Sequence, residues 1–161
     1  MASSVDHHTK PHYVKRQVIS PDLIDLGLPS TKPSNVRLYG PIVLDNVLVR
    51  DLDLQLSSWL DAAPTVLMSM GTLFIYTEAQ VRAVLRGFLT ALDPKTRLLW
   101  ELPQHSSFED VTDELLPGIE DKERFLIMDW VPVDPFSIMT HTNLVALVYN
   151  GGANSYFEAA L

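Results

Sequence analysis

The sequence contains no cysteine among its 161 residues, so disulfide bonds and thiolate metal sites are excluded. Positive charge is also scarce, because 12 Lys and Arg stand against 20 Asp and Glu and give a net charge of -8. A nucleic-acid-coating protein needs surplus Lys and Arg, so no nucleic-acid partner is expected. A nucleotide site is still allowed, since backbone N–H groups and a helix N-terminus bind phosphate without changing the net charge.

Long hydrophobic runs are missing as well. No apolar run approaches the about 20 residues that span a bilayer, and Met1 to Arg16 lacks the apolar segment of a signal peptide. The five histidines show no metal-ligand spacing with Asp or Glu, so no metal site is predicted. Apolar residues still make up 47% of the chain, enough for one folded domain. We therefore expect a cytoplasmic protein without a membrane span.

The chain divides into an irregular start and a periodic remainder. Residues 1–35 show no hydrophobic period and contain several prolines, which predicts an extended, linker-like arm. From residue 36 onward, short apolar runs alternate with helical patterns. The predicted strands are 36–39, 65–70, 97–102, 125–130 and 144–149, and the predicted helices are 77–92, 108–116 and 135–139, with another beginning at 154.

This alternation predicts an α/β fold, a Rossmann-like parallel sheet with flanking helices, over residues 36–161. In the first long helix, Thr77 and Gln80 fit a capping box, and Gly87 is interpreted as allowing close packing. The acidic side chains of the next helix are expected to form a solvated face. Ligands of such sheets bind beyond the carboxyl ends of the strands, so the turns there are candidate sites.

The strongest local motif follows the last predicted strand, at Asn150-Gly151-Gly152. Glycines let a phosphate approach the backbone, and Asn154 or Ser155 can cap the helix that begins there. Glu158 lies one helical turn beyond Asn154, where a carboxylate can accept hydrogen bonds from ribose hydroxyls. The alternative is an ordinary strand-to-helix turn with a capping Asn, and the pattern alone does not separate the two.

Two further motifs end earlier strands. Trp130 is placed to stack on a nucleobase if its indole is exposed, although a core Trp is the more frequent situation. Gly71-Thr72 can offer an N–H group and a hydroxyl to a phosphate or a sugar, whereas a plain turn is the simpler reading.

Taken in order, these motifs resemble the donor-binding signature of the UDP-glycosyltransferases. The resemblance also includes Pro33-Ser34-Asn35-Val36, similar to that family's interdomain linker, and His141 at a fitting distance before Asn150. It covers residues 33–161, and the sequence Gly-Gly-Ala-Asn-Ser at 151–155 is similar to that of the fungal members. The resemblance implies part of a GT-B enzyme: the linker and the first half of the C-terminal domain that holds the UDP-sugar.

The resemblance also implies roles for single residues. Trp130 would stack on the uracil, with backbone contacts near the base from Val133. Glu158 would bind the ribose. Residues near the diphosphate or the sugar would be Asn150, Gly152, Asn154, Ser155, Gly71 and Thr72. No cofactor is implied, because the UDP-sugar is a substrate.

Two positions depart from the family pattern. The family usually has Gln where Val133 stands and His where Asn150 stands. Asn can donate a hydrogen bond but cannot carry positive charge toward the diphosphate, so weaker donor binding is expected.

The family's general base and its sugar-gripping Asp-Gln pair have no counterpart in this sequence. No catalytic residue is therefore predicted, and the chain alone is expected to be inactive. The complete enzyme would transfer a hexose to a small lipophilic acceptor. Two alternatives remain: a non-catalytic donor-domain subunit that needs a complementary chain, and an unrelated Rossmann-like nucleotide binder.

Overall fold

The computed structural model describes residues 18–21, 36–39 and 47–152, and the chain forms two compact units, Met1–Ile42 and Val43–Leu161. In the first unit, β1 (Val18–Pro21) pairs in parallel with β2 (Val36–Tyr39). Strand β2 was predicted from the sequence, but β1 was not. Its apolar part is only Val18 and Ile19, which is too short to show alternation. The predicted boundary after residue 35 stays a prediction.

From β3 onward, the second unit alternates strands and helices as the sequence predicted, whereas its first two helices, at residues 49–61, were not predicted. Its elements are α1 (Val49–Leu52), α2 (Leu54–Asp61), β3 (Thr65–Ser69), α3 (Glu78–Ala91), β4 (Arg97–Glu101), α4 (Glu109–Leu115), α5 (Ile119–Arg124), β5 (Phe125–Met128), α6 (Pro135–Met139) and β6 (Leu144–Tyr149). A turn of 3-10 helix at His105–Phe108 precedes α4. Helix α5 was not predicted, because its six residues are mostly charged and show no hydrophobic period.

The four strands β3 to β6 form one parallel sheet in the order β5-β4-β3-β6. The chain leaves β3 toward β4 on one side, and β6 returns to the other side of β3. The direction of strand addition therefore reverses between β3 and β6. Clefts at such a reversal are where parallel α/β sheets bind ligands.

Helices cover both faces of this sheet. One face packs against α3 and α4 through Val66, Leu98, Trp100, Val81, Leu85 and Val111. The other packs against α2 and α6 through Leu67, Leu99, Leu56, Leu60 and Ile138. The central strands β3 and β4 read as nearly continuous apolar runs because both of their faces are buried. This arrangement confirms the predicted α/β fold class.

Helix α3 begins and ends as the sequence indicates. The Thr77 hydroxyl accepts from the Gln80 N–H at 3.4 Å, and the Gln80 side chain accepts from the Thr77 N–H at 2.8 Å, which completes the capping box. The interpretation of Gly87 was wrong, because a Cβ built there meets no atom within 4 Å. Glu109, Asp110, Asp113 and Glu114 on α4 are exposed, as expected of a solvated face.

Candidate functional site

Two glycine-containing turns meet where the strand order reverses. Ser69 ends β3 and pairs with Tyr149, the last residue of β6, so the turns that follow them start side by side. Gly71 and Gly151 have φ of 75° and 76°, a left-handed conformation that favours glycine. A Cβ on Gly71 would lie 3.6 Å from Nδ2 of Asn150. The structure thus brings Gly71 and Asn150 together, as a shared phosphate site requires.

The Asn150 side chain closes its own turn. Its Oδ1 accepts a hydrogen bond of 3.0 Å from the Gly152 N–H. A Cβ on Gly152 would lie 3.1 Å from that oxygen, which is tighter than ordinary contact, so glycine fits this position. The Nδ2 group remains on the side of Gly71, where an amide can donate to an anion.

The segment after Gly71 is anchored by aromatic rings and presents apolar groups to solvent. Thr72 is exposed. Phe74 and Tyr76 stack edge to face at 4.6 Å, and the Trp100 indole N–H donates to the Tyr76 hydroxyl at 3.3 Å. Leu73, just before Phe74, is 94% exposed, and Ile75, between the two rings, is 79% exposed. Two apolar side chains therefore lie directly beyond Thr72 on a tethered loop.

Trp130 lies beyond the carboxyl end of β5 and is 61% exposed. The alternative that Trp130 is a core residue is thus wrong. Strand β5 ends at Met128, two residues earlier than predicted, because the chain turns there. Val131 and Val133 are buried at 2% and 6% exposure, so the chain is anchored immediately after Trp130 while its indole projects outward.

Val133 has no side-chain surface for a ligand. It packs with Ile138 in the cluster that covers the α2 and α6 face of the sheet. Any contact with a nucleotide would have to come from its backbone, which is the role predicted for it. That contact stays a prediction.

The two halves of the predicted site stand at opposite edges of the described sheet. Trp130 follows β5, and Asn150 follows β6, with β4 and β3 between them. Three strand spacings correspond to about 14 Å. A nucleotide that reaches from the indole to the glycine turns must therefore cross the carboxyl ends of β4 and β3.

Glu101 occupies the middle of this path, and the sequence analysis missed it. It ends β4, pairs with Ser69 and with Met128, and is only 4% exposed. Burial raises the pKa of its carboxyl, and a hydrogen bond from the Val131 backbone N–H offsets part of that rise. The sequence signal that could have identified it is a single Glu at the end of the apolar run of β4.

A cavity of about 570 Å³ lies elsewhere, at the amino ends of β3 and β4. Its lining includes Arg97 and Arg124, but both guanidinium groups are occupied. Arg97 donates to the Trp59 carbonyl at 2.6 Å, and Arg124 donates to the carbonyls of Thr96, Leu92 and Asp93. Sheet topology and the position of the Asn150 amide beside Gly71 favour the turns over this cavity as the ligand site. Among the described residues, no three His, Asp or Glu side chains are grouped to hold a metal ion.

The chain is similar to a curated glycosyltransferase. It is 36% identical over 148 residues to glycosyltransferase sdnJ of Sordaria araneosa, an alignment that covers 88% of this chain and 29% of that protein. The chain belongs to the glycosyltransferase family. The match confirms the resemblance that the ordered motifs indicated.

A solved structure shows the same fold. A crystal structure of an Os79 variant from O. sativa in complex with UDP matches with a TM-score of 0.59 at 22% identity, over 77% of this chain and 28% of that chain. No protein-family model matches the sequence. This glycosyltransferase chain therefore spans less than a third of the relatives that it matches. In the described part of the chain, no helix has the length and apolar character needed to cross a bilayer.

The remaining predicted site residues of this glycosyltransferase chain lie outside the described residues. These are Asn154, Ser155 and Glu158. Their roles at the diphosphate and the ribose stay predictions, as does the helix that was expected to begin at residue 154. Of the histidines, His141 accepts from the Asn143 N–H at 3.2 Å, as expected of a structural residue.

Proposed function

We propose that this chain forms the first half of the UDP-sugar-binding domain of a glycosyltransferase. The observation that carries the proposal is the meeting of Gly71 and Asn150 at the strand-order reversal, beyond the same carboxyl ends of the strands as the exposed Trp130. The family membership and the UDP in the structure of similar fold support it.

In this proposal the nucleotide lies across the carboxyl ends of the sheet. The uracil stacks on the Trp130 indole, and the backbone of Val133 lies near the base. The diphosphate lies at the two turns, where it receives N–H groups, and no metal ion takes part. Asn154 and Ser155 face the diphosphate, and Glu158 binds the ribose.

The acceptor in the complete enzyme would be a small lipophilic molecule. Leu73 and Ile75 support this class, because they place exposed apolar groups next to Thr72, which is predicted to lie near the sugar. The reaction would be attack of an acceptor hydroxyl on the anomeric carbon with inversion. A general base from elsewhere in the complete enzyme would take the hydroxyl proton, while UDP leaves with the bonding electron pair. The chain alone would be inactive, and we place it in the cytoplasm.

Isothermal titration of the purified chain with UDP and with ADP tests the nucleotide assignment. We expect UDP to bind and ADP to bind more weakly, because the indole stacks on either base but the base-edge contacts select uracil. Equal affinity for both would favour the unrelated nucleotide binder. No binding of either would remove the assignment.

A second candidate is a donor-domain subunit that works with a complementary chain. Strand β6 has no described neighbour on its outer side, and Val145 and Val148 on it are 60% and 37% exposed. Unpaired strand edges with apolar side chains favour association. Co-expression with candidate glycosyltransferase segments followed by size-exclusion chromatography tests this, and a lone, soluble monomer in every case would argue against it.

A further inference from the structure

A small cavity lies near the amino ends of β3 and β6. Its volume is about 230 Å³, and its walls come from the α1 segment, α2, α6 and the turn before β6. Helix α2 ends at Asp61 just before β3, and His141 comes just before β6. Because β3 and β6 are parallel neighbours, both of these positions lie at the end of the sheet opposite to the glycine turns. The cavity is therefore separate from the proposed nucleotide site.

Two serine hydroxyls line this cavity. Ser57 on α2 is 7% exposed and Ser137 on α6 is 3% exposed, so more than nine-tenths of each residue is buried. In the described part of the chain, neither hydroxyl makes a hydrogen bond with a protein group. No polar side-chain atom of that part is sealed from solvent without a partner, so both hydroxyls open into the cavity. Hydroxyls in such a place take their hydrogen bonds from water or from a ligand.

The imidazole of the cavity cannot activate these hydroxyls. The Asn143 N–H donates to Nδ1 of His141 at 3.2 Å, so the ring proton lies on Nε2. That nitrogen is 3.4 Å from Oδ1 of Asp61. Neither ring nitrogen is then available as a general base for a serine, which nucleophilic catalysis would need. The cavity is therefore suited to binding and not to covalent chemistry.

The lining of the cavity favours a neutral ligand that is rich in hydroxyls. An anion would meet the Asp61 carboxylate, a cation would meet Arg50, and a metal ion would find only Asp61 and His141 here. Serine hydroxyls both donate and accept, as sugar hydroxyls do. Leu48 and Val49 add an apolar wall for the C–H groups of a ring. The volume is below the about 300–1,000 Å³ of sites for drug-sized ligands, so it suits a single small ring.

We propose that this cavity binds a neutral monosaccharide, whose hydroxyls pair with Ser57 and Ser137 inside the cavity and with Asp61 at its mouth. Each serine then obtains the hydrogen-bond partner that the protein does not supply. The site does not depend on the proposed nucleotide site, because it stands at the other end of the strands. A few hydrogen bonds to one ring give weak binding, with a dissociation constant on the order of 1–10 mM.

The test titrates the full chain, labelled with nitrogen-15, with D-glucose and follows the backbone amide signals of Ser57, Ser137 and His141. We expect a saturable shift of these signals. Ser57→Ala and Ser137→Ala should each weaken glucose binding by about fivefold or more, since each removes one hydrogen bond. Neither change should lower the melting temperature, because no protein hydrogen bond is lost and Ala favours a helix over Ser.

The control variant is Ser58→Ala on the same helix. The Ser58 hydroxyl donates to the Leu54 carbonyl at 2.9 Å and faces solvent, so its removal should leave glucose binding unchanged. Inorganic phosphate and cyclohexanol are the control ligands, one for an anion and one for a ring with a single hydroxyl. Neither should shift the signals of the cavity at the concentrations that glucose needs.

Every other outcome counts against the site. The absence of a saturable shift with glucose would leave water as the occupant of the cavity and overturn the proposal. Phosphate that binds more tightly than glucose would replace the sugar with an anion. Glucose affinity that is unchanged in both Ser→Ala variants would place the sugar elsewhere. A lower melting temperature in both variants, or their failure to fold, would show that the hydroxyls serve the fold and would also overturn the proposal.

Discussion

Replacement of Trp130 by Ala should separate nucleotide binding from folding. The side chain is 61% exposed, and its neighbour Val131 carries the packing at 2% exposure, so the free energy of unfolding should change by less than about 1 kcal/mol. Stacking of a base on one aromatic ring contributes about 1–3 kcal/mol. At about 1.4 kcal/mol per tenfold, the UDP dissociation constant should rise by about 5-fold to 150-fold.

The assay is isothermal titration with UDP at fixed salt, alongside thermal unfolding of each variant. Trp130→Phe should recover most of the affinity, because a smaller ring still stacks. Trp59→Phe is the control. The Arg97 guanidinium lies 5.0 Å from the centre of the Trp59 ring, and the Trp59 indole N–H donates to the Glu123 carbonyl at 2.9 Å. The role of Trp59 is therefore structural. A Trp130→Ala variant that binds UDP within about twofold of wild type would refute the stacking role, because it is below the range for one ring.

Three other changes test different parts of the structure. Gly87→Ala should raise the free energy of unfolding by up to about 1 kcal/mol, because the added methyl meets nothing within 4 Å; chemical denaturation checks this, and a fall would contradict it. Asn150→His should tighten UDP binding by about fivefold or more at pH 6, where the imidazole can carry charge toward the diphosphate; titration with no gain would sink the idea. Burial raises the pKa of the Glu101 carboxyl above 4.5 in the folded chain, so the folded state binds the carboxyl proton more tightly than the unfolded state does. The stability that this proton contributes is therefore lost as the pH rises through the pKa of the folded state. Glu101→Gln should therefore unfold at higher denaturant than wild type at pH 7, with the difference shrinking toward pH 4.5; a constant difference would contradict this.

The sheet and its helices were predictable because their signals are local. The run 65–69 has apolar residues on both faces at its centre, and the side chains of Thr77 and Gln80 mark the start of α3. Strand β1 and helix α5 were not predicted because neither has enough apolar positions to show a period. Helices α1 and α2 were not predicted either, because each is short and Asp53 separates them. Strand β5 was predicted two residues too long, since Trp130 is apolar like the residues of the strand, although the chain turns after Met128.

The candidate site was predictable only in part. Each glycine turn follows a strand, so its place at the sheet edge could be read from the chain, but the pairing of Ser69 with Tyr149 depends on strand order. The exposure of Trp130 depends on the anchoring of Val131 behind it, which periodicity does not encode. Glu101 was missed because its position between Ser69 and Met128 depends on the strand order, which the sequence alone does not give.

Strand order also explains why motifs that are weak alone become informative together. Gly71-Thr72 and Asn150-Gly151-Gly152 are ordinary turns when each is considered singly. The connectivity β3 to β4 to β5 to β6 returns the chain to the free side of β3, which forces the first and last of these turns into contact and leaves Trp130 two strands away from Gly71 on the same edge. A nucleotide has a base and a diphosphate at its two ends, and this edge offers a ring at one end and unobstructed backbone at the other.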